Sequence, residues 1–255
     1  MKYKRVVIKV GSAVLSEDGK LAKDRILNLT ELISKLKDSG IEVVLVSSGA
    51  VSAGYAKIKL DKRVLSNRQA LASIGQSYLM SVYQHKFDKF GTIISQILLT
   101  QTDFDSRKRT ANIQHTIDVL LENGVVPIIN ENDSVATDEL VFGDNDQLSA
   151  YSTYFLKADI LIILSDIKGY YDKNPSIYSD AKIRKVVKKI DDFELEQEVS
   201  PNNEFATGGI VTKLKSAKFL MERGGSMFLS SGFELDLVED FLLYNSHKSG
   251  TLFKK

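Results

Sequence analysis

Apolar residues along the chain fall into two alternating kinds of pattern. Short continuous runs, RVVIKV (5–10), IEVVLV (41–46), GTIISQILLT (91–100), VVPIINEN (125–132), DILIILS (159–165) and SMFLSS (226–231), are rich in β-branched residues and apolar on both faces. Between them apolar positions recur at three and four residues, as at Ile26, Leu29, Ile33 and Leu36, where Gly40 stops the helix. Further helices are predicted over 67–87, 107–122, 146–156 and 209–223. Strands buried on both faces and alternating with helices predict an α/β fold, a three-layer αβα sandwich around a mainly parallel sheet. No Pro/Ser linker or repeat divides the chain, so one domain over 1–255 is expected.

In such sheets ligands collect beyond the carboxyl ends of the strands. The first strand holds Lys9 inside an apolar run and is followed by Gly11 and Ser12, the second by SSGA (47–50). The fourth ends in NENDSVATDELVFGDNDQLSA (130–150) and the fifth in SDIKGYYDKNP (165–175), while ATGGIVTK (206–213) opens a late helix. Glycine lets backbone N–H groups approach an anion, and a helix N-terminus adds partial positive charge. No G-x-x-x-x-G-K-[ST] and no G-x-G-x-x-G occurs, which excludes a P-loop NTPase and a standard dinucleotide fold. What remains is two lysines, Lys9 and Lys213, each beside a glycine-rich loop. Phosphoryl transfer is largely positioning plus charge neutralisation, the work two such lysines can do.

Composition narrows the partner. Thirty-four Lys and Arg against 33 Asp and Glu give a net charge of +1, with no field favouring nucleic acid or a membrane surface. The absence of cysteine excludes disulfides, thiolate metal sites and a cysteine nucleophile, and the first residues lack the apolar run of a signal peptide. A cytoplasmic location is expected. His85, His115 and His247 fall in no motif and read as surface or helix-end residues. KIRKVVKKI (182–190) reads as solvated surface, and Phe219, Leu220 and Phe228 as core. Singly, Lys9 reads as a snorkelling edge lysine and Lys213, beside Lys215 and Lys218, as part of a charged face.

Together, IKVGS, VSSGAVSAG, NENDSVAT, FGDNDQLSA, LSDIKGYY and TGGIVTKLKSA, in this order, resemble the glutamate 5-kinases of the amino acid kinase family. The resemblance runs from about Val6 to Phe253. It implies the amino acid kinase or carbamate kinase-like fold, and transfer of the γ-phosphoryl group of ATP, with Mg2+, to the side-chain carboxylate of L-glutamate, the first step of proline biosynthesis. By motif, Lys9 with Gly11 and Ser12 meets the ATP phosphates, and Lys213 stabilises charge on the leaving side. Thr207, Gly208, Gly209, Ile210, Val211 and Thr212 hold nucleotide phosphate, and Ser165 and Asp166 form the nucleotide-binding pair. Ser48, Gly49, Asp133 and Asn145 take glutamate, and Asp146 orients the two lysines. No protein metal ligand is assigned.

The resemblance also implies that 62–80 forms the lid near glutamate and shapes feedback by proline. A homodimer or homotetramer is implied, as is delivery of the acyl phosphate to glutamyl phosphate reductase. Many members continue into a C-terminal PUA domain; none is expected here, and Leu252 and Phe253 are expected in a closing strand. Two other readings stay open. One is an acetylglutamate- or aspartate-type kinase, separable by competing substrates; the other is a silent nucleotide-binding regulator, which would be expected to have lost Lys9, Lys213 or Asp146.

Overall fold

The structure, a computed structural model, describes residues 2–135, 145–196 and 209–255. Ten strands are described: β1 (Arg5–Val10), β2 (Ser16–Glu17), β3 (Lys20–Leu21), β4 (Glu42–Ser47), β5 (Ile94–Leu99), β6 (Val126–Glu131), β7 (Ile160–Ser165), β8 (Val186–Val187), β9 (Met227–Ser231) and β10 (Thr251–Phe253). Eight of them form one sheet in the order β5-β6-β4-β1-β7-β9-β10-β8, and β2 with β3 makes a small ribbon. All neighbours in the large sheet run parallel except β10 against β9.

Period-2 alternation divides the sheet's side chains between two cores. On one face Val6, Ile8, Val10, Leu45 and Ile162 pack with Ile33 of the helix Lys23–Asp38, Tyr83 of the helix Leu65–Phe87 and Phe241 of the helix Asp236–Leu243. On the other, Val7, Val46 and Ile163 pack with Ile117 of the helix Arg107–Glu122, Leu148 of the helix Asp146–Phe155 and Leu214 of the helix Ile210–Glu222. Helices therefore cover both faces, as the doubly apolar strands require. The chain leaves β1 for β4 on one side, and after β6 it crosses to β7 on the other. That reversal opens a crevice at the carboxyl end of β1.

The long helices and main strands lie within two residues of the sequence-based expectations, apart from the start of 91–100, where β5 begins at Ile94 and ends at Leu99. Segment 182–190 is different. It is not wholly solvated surface, because β8 pairs with β10 inside it and Val187 and Ile190 are buried. Its lysines are exposed on either side of a two-residue strand too short to show a period. His247 is likewise more than a surface residue: its ring meets Phe228 and Phe241 edge-on and its Nε2 lies 3.0 Å from the Gly250 carbonyl. The helices Ser12–Leu15, Ala50–Tyr55, Asp192–Glu196 and Asp236–Leu243 are additional. No helix among the described residues is long and apolar enough to cross a membrane.

Candidate active site

Alternation along β1 puts Lys9 on the face of Val7, toward the helices Asp146–Phe155 and Ile210–Glu222. β1 is central, flanked by β4 and β7, so Lys9 is no edge lysine; its side chain is 3% exposed. On the helix Ile210–Glu222, position 213 falls in the stripe of Leu214, Ala217 and Leu220 that faces the sheet, whereas Lys215 and Lys218 point away. Lys213 is thus buried by helical period. Asp146 opens its own helix, where a carboxylate meets the favourable end of the helix dipole, and is fully buried.

The three meet. Lys9 Nζ lies 2.6 Å from Asp146 Oδ1, and Lys213 Nζ lies 3.1 Å from Oδ2. The Thr212 hydroxyl sits 3.0 Å from the same Oδ2 and 2.9 Å from the Gly209 carbonyl, one proton shared between two acceptors. Charges are buried at this depth only when paired. One carboxylate therefore fixes two ammonium groups, from a strand and a helix far apart in sequence, at a single point.

Around this triad the strand ends supply polar backbone. Gly11 donates its N–H to the Leu164 carbonyl (3.1 Å), and a Cβ there would stand 3.9 Å from Lys9 Nζ. Ser12 is exposed beside it. Ser165 ends β7; its hydroxyl donates to Asp166 (2.9 Å) and its carbonyl accepts from Gly232 N–H (2.7 Å). Gly209 caps the helix that carries Ile210, Val211, Thr212 and Lys213. Thr207 and Gly208 lie outside the described residues.

On the other side of β1, Ser48 and Gly49 turn the chain from β4 into the helix Ala50–Tyr55, with Gly49 at φ 100°, a left-handed conformation suited to glycine. The Asn145 amide donates to the Ser47 carbonyl (2.7 Å), so it lies beside this turn. Asp133, half-buried, follows β6 by two residues, on the β4 side of the crevice.

Sequence reasoning passed over several supporting residues. Ser47 Oγ and Tyr83 OH share a proton at 2.9 Å, and burial pushes the Tyr83 phenol well above its ordinary pKa, keeping it neutral. Asn130, the last residue but one of β6, bonds both Asn145 and Gln76. Polar residues ending a continuously apolar strand were the available signal for Asn130; nothing local marked Tyr83 or Gln76. Segment 62–80 lies mostly in the helix Leu65–Phe87, which presses on the helix Ala50–Tyr55 through two glycines. A Cβ on Gly75 would stand 1.8 Å from the Ala50 carbonyl oxygen, and one on Gly54 would stand 1.9 Å from that of Leu71.

Comparison with known proteins bears on this arrangement. The model of the amino acid kinase family matches residues 4–229. A glutamate 5-kinase of Wolinella succinogenes is 58% identical over 254 residues, spanning 98% of this chain and 97% of that protein. One of Leishmania donovani is 53% identical over 250 residues, 98% of this chain and 95% of that protein. Among solved structures, a carbamate kinase from Giardia lamblia superposes with a TM-score of 0.65 at 15% identity, covering 99% of both chains, which speaks to the fold alone. With two lysines tied to one aspartate at the switch point of a mainly parallel sheet, and with relatives matched along almost their whole length, the chain belongs to the amino acid kinase family, among its glutamate 5-kinases.

Proposed function

We propose that this chain phosphorylates the side-chain carboxylate of L-glutamate with ATP, giving L-glutamyl 5-phosphate for proline biosynthesis. The observation that carries the reading is the Lys9–Asp146–Lys213 triad in a chain 58% identical to a glutamate 5-kinase across its length. A carboxylate with a pKa of about 4.3 is already ionised at neutral pH, so the nucleophile needs no general base and no histidine. One glutamate carboxylate oxygen forms a bond to the γ-phosphorus, the bond to the β–γ bridging oxygen breaks, and ADP leaves with that electron pair. Lys9 sits where β1 ends and faces the transferring group. Lys213, in the first turn of the helix Ile210–Glu222, stabilises charge on the leaving side. Asp146 holds both at fixed spacing, so little reorganisation accompanies the step.

In this reading Gly11, Ser12, the N–H groups of Thr207, Gly208 and Gly209, and the helix start from Ile210 to Lys213 take nucleotide phosphate, and Ser165 and Asp166 take the rest of the nucleotide. Ser48, Gly49, Asp133 and Asn145 take glutamate. Magnesium, carried by the ATP phosphates, would supply charge neutralisation there. Among the described residues no three His, Cys, Asp or Glu side chains cluster, and Asp146 is engaged by both lysines. Those residues do not fit a protein-held cage, and no step here runs through one. A homodimer or homotetramer in the cytoplasm, handing its labile acyl phosphate to a glutamyl phosphate reductase, completes the proposal.

The test is ATP turnover with hydroxylamine present, which converts an acyl phosphate to a coloured hydroxamate with iron. Hydroxamate from L-glutamate, and little from N-acetylglutamate or aspartate, is expected. Formation from either competitor in preference to glutamate would replace this reading with another branch of the family, and no turnover with any of them would favour a silent regulator.

A further inference from the structure

Four side-chain amides run in single file from β5, through the helix Leu65–Phe87, toward the triad. Asn145 Nδ2 donates to the Ser47 carbonyl and to Asn130 Oδ1, each at 2.7 Å. Asn130 Nδ2 donates to Gln76 Oε1 at 2.8 Å, and Gln76 Nε2 donates to Gln96 Oε1 at 3.0 Å. The direction of the file is not arbitrary. The backbone N–H of Glu131 donates to Asn130 Oδ1 at 2.9 Å, so that oxygen must be the acceptor and the NH2 of Asn130 must face Gln76. An oxygen of residue 76 is then required, and the rest of the chain follows.

The consequence falls on Asn145. An amide nitrogen has two hydrogens, and both are committed, one to Ser47 and one to Asn130. What Asn145 has left for a ligand is its carbonyl oxygen, an acceptor. An acceptor suits the α-ammonium of an amino acid and is wrong for either carboxylate. We infer that Gln76 is a positioning residue for the amino-acid substrate: its oxygen locks Asn130, and Asn130 turns the Asn145 carbonyl toward the substrate ammonium. This rests on the reading of Asn145 as a glutamate ligand. It also supplies a reason for preferring a free amino acid to an N-acylated one, whose nitrogen is uncharged and has a single hydrogen. Removing the acceptor at position 76 frees the Asn130 NH2 to seek another partner, and Asn145 loses its fixed direction.

The experiment compares wild type, Gln76→Leu, Gln76→Glu, Gln76→Ala and Asn145→Ala in the hydroxamate assay, with KM measured separately for L-glutamate and ATP. Gln76→Leu and Gln76→Ala should each raise the glutamate KM about tenfold, close to the lower end of what a lost hydrogen bond to a charged group costs, while the ATP KM and the thermal midpoint stay put. Gln76→Glu keeps the acceptor oxygen, and exposed Gln96 can turn its amide to donate; its glutamate KM should lie within about twofold of wild type. Two apolar variants guard against one failing to fold. A glutamate KM unmoved in both, an equal rise in the ATP KM, or a Gln76→Glu variant as impaired as Gln76→Leu would overturn the role of Gln76. If Asn145→Ala itself leaves the glutamate KM unchanged, the reading of Asn145 falls first, whatever position 76 does.

Discussion

Replacing Asp146 by Asn keeps the shape of the side chain and removes its charge. The structure sets the scale of the damage. With ion-pair distances of 2.6 and 3.1 Å, the gross attraction at an effective dielectric of 20 is about 6 and about 5 kcal/mol. Most of that offsets the desolvation of three buried charges, so the net loss on breaking the cluster is better taken as about 3 to 5 kcal/mol. For a chain of this size each kcal/mol moves Tm by roughly 2 to 4 °C, which predicts a fall of about 6 to 20 °C. The same variant leaves two ammonium groups facing each other until phosphate arrives. Saturating ATP should therefore raise the Tm of Asp146→Asn more than it raises that of wild type, while kcat falls by roughly 10²-fold or more because the lysines are no longer fixed. Differential scanning fluorimetry with and without nucleotide, beside hydroxamate kinetics, measures all of this. An Asp146→Asn protein that melts within a degree of wild type and turns over normally would refute the argument that this carboxylate organises the site.

Lys9→Ala and Lys213→Ala should each lower kcat by roughly 10²-fold or more with a smaller change in KM, and Lys9→Arg should fail as well, since a planar guanidinium does not replace a compact ammonium in a buried cluster; a rise in KM alone would show that the lysines bind without catalysing. Gly75→Ala places a methyl group 1.8 Å from the Ala50 carbonyl oxygen, so the two helices must part, at a cost of about 1 to 3 kcal/mol and roughly 2 to 12 °C in Tm; an unchanged melt would mean that the crossing is looser than described. At the C-terminal end, Leu252 and Phe253 are buried and β10 bonds both β8 and β9. Deleting from Thr251 onward should thus cost several kcal/mol, at about 1.5 to 3 kcal/mol per large side chain, whereas deleting Lys254 and Lys255 should be neutral, and equal unfolding midpoints for the two truncations would remove β10 from the core.

The strands and long helices were legible because their periods are local. Six doubly apolar runs separated by helical stripes leave little but a covered parallel sheet, and β1, β7 and the helix Arg107–Glu122 follow their patterns closely. Ser16–Glu17, Lys20–Leu21 and Val186–Val187 escaped for the opposite reason, since two residues carry no period and their pairing is decided by partners elsewhere. Burial of Lys213 was readable in principle, because it shares the stripe of Ala217 and Leu220 at helical spacing. Its charge, and the lysines beside it, argued the other way.

Sequence alone determined which residue types stand at the carboxyl ends of the strands, since motif and order are properties of the chain. The tertiary structure decided which of them touch. Lys9, Asp146 and Lys213 span more than two hundred positions, and only the strand order β4-β1-β7, with two helices on the face of Val7, draws them to one carboxylate. The amide file is more extreme. In the proposed positioning role, the polarity that turns the Asn145 carbonyl outward is set by Glu131 N–H through Asn130 and held by Gln76, residues brought together with Asn145 from three separate segments. A hydrogen bond is set by distance and direction, neither of which a sequence pattern encodes, so this part of the site came into existence only with the fold.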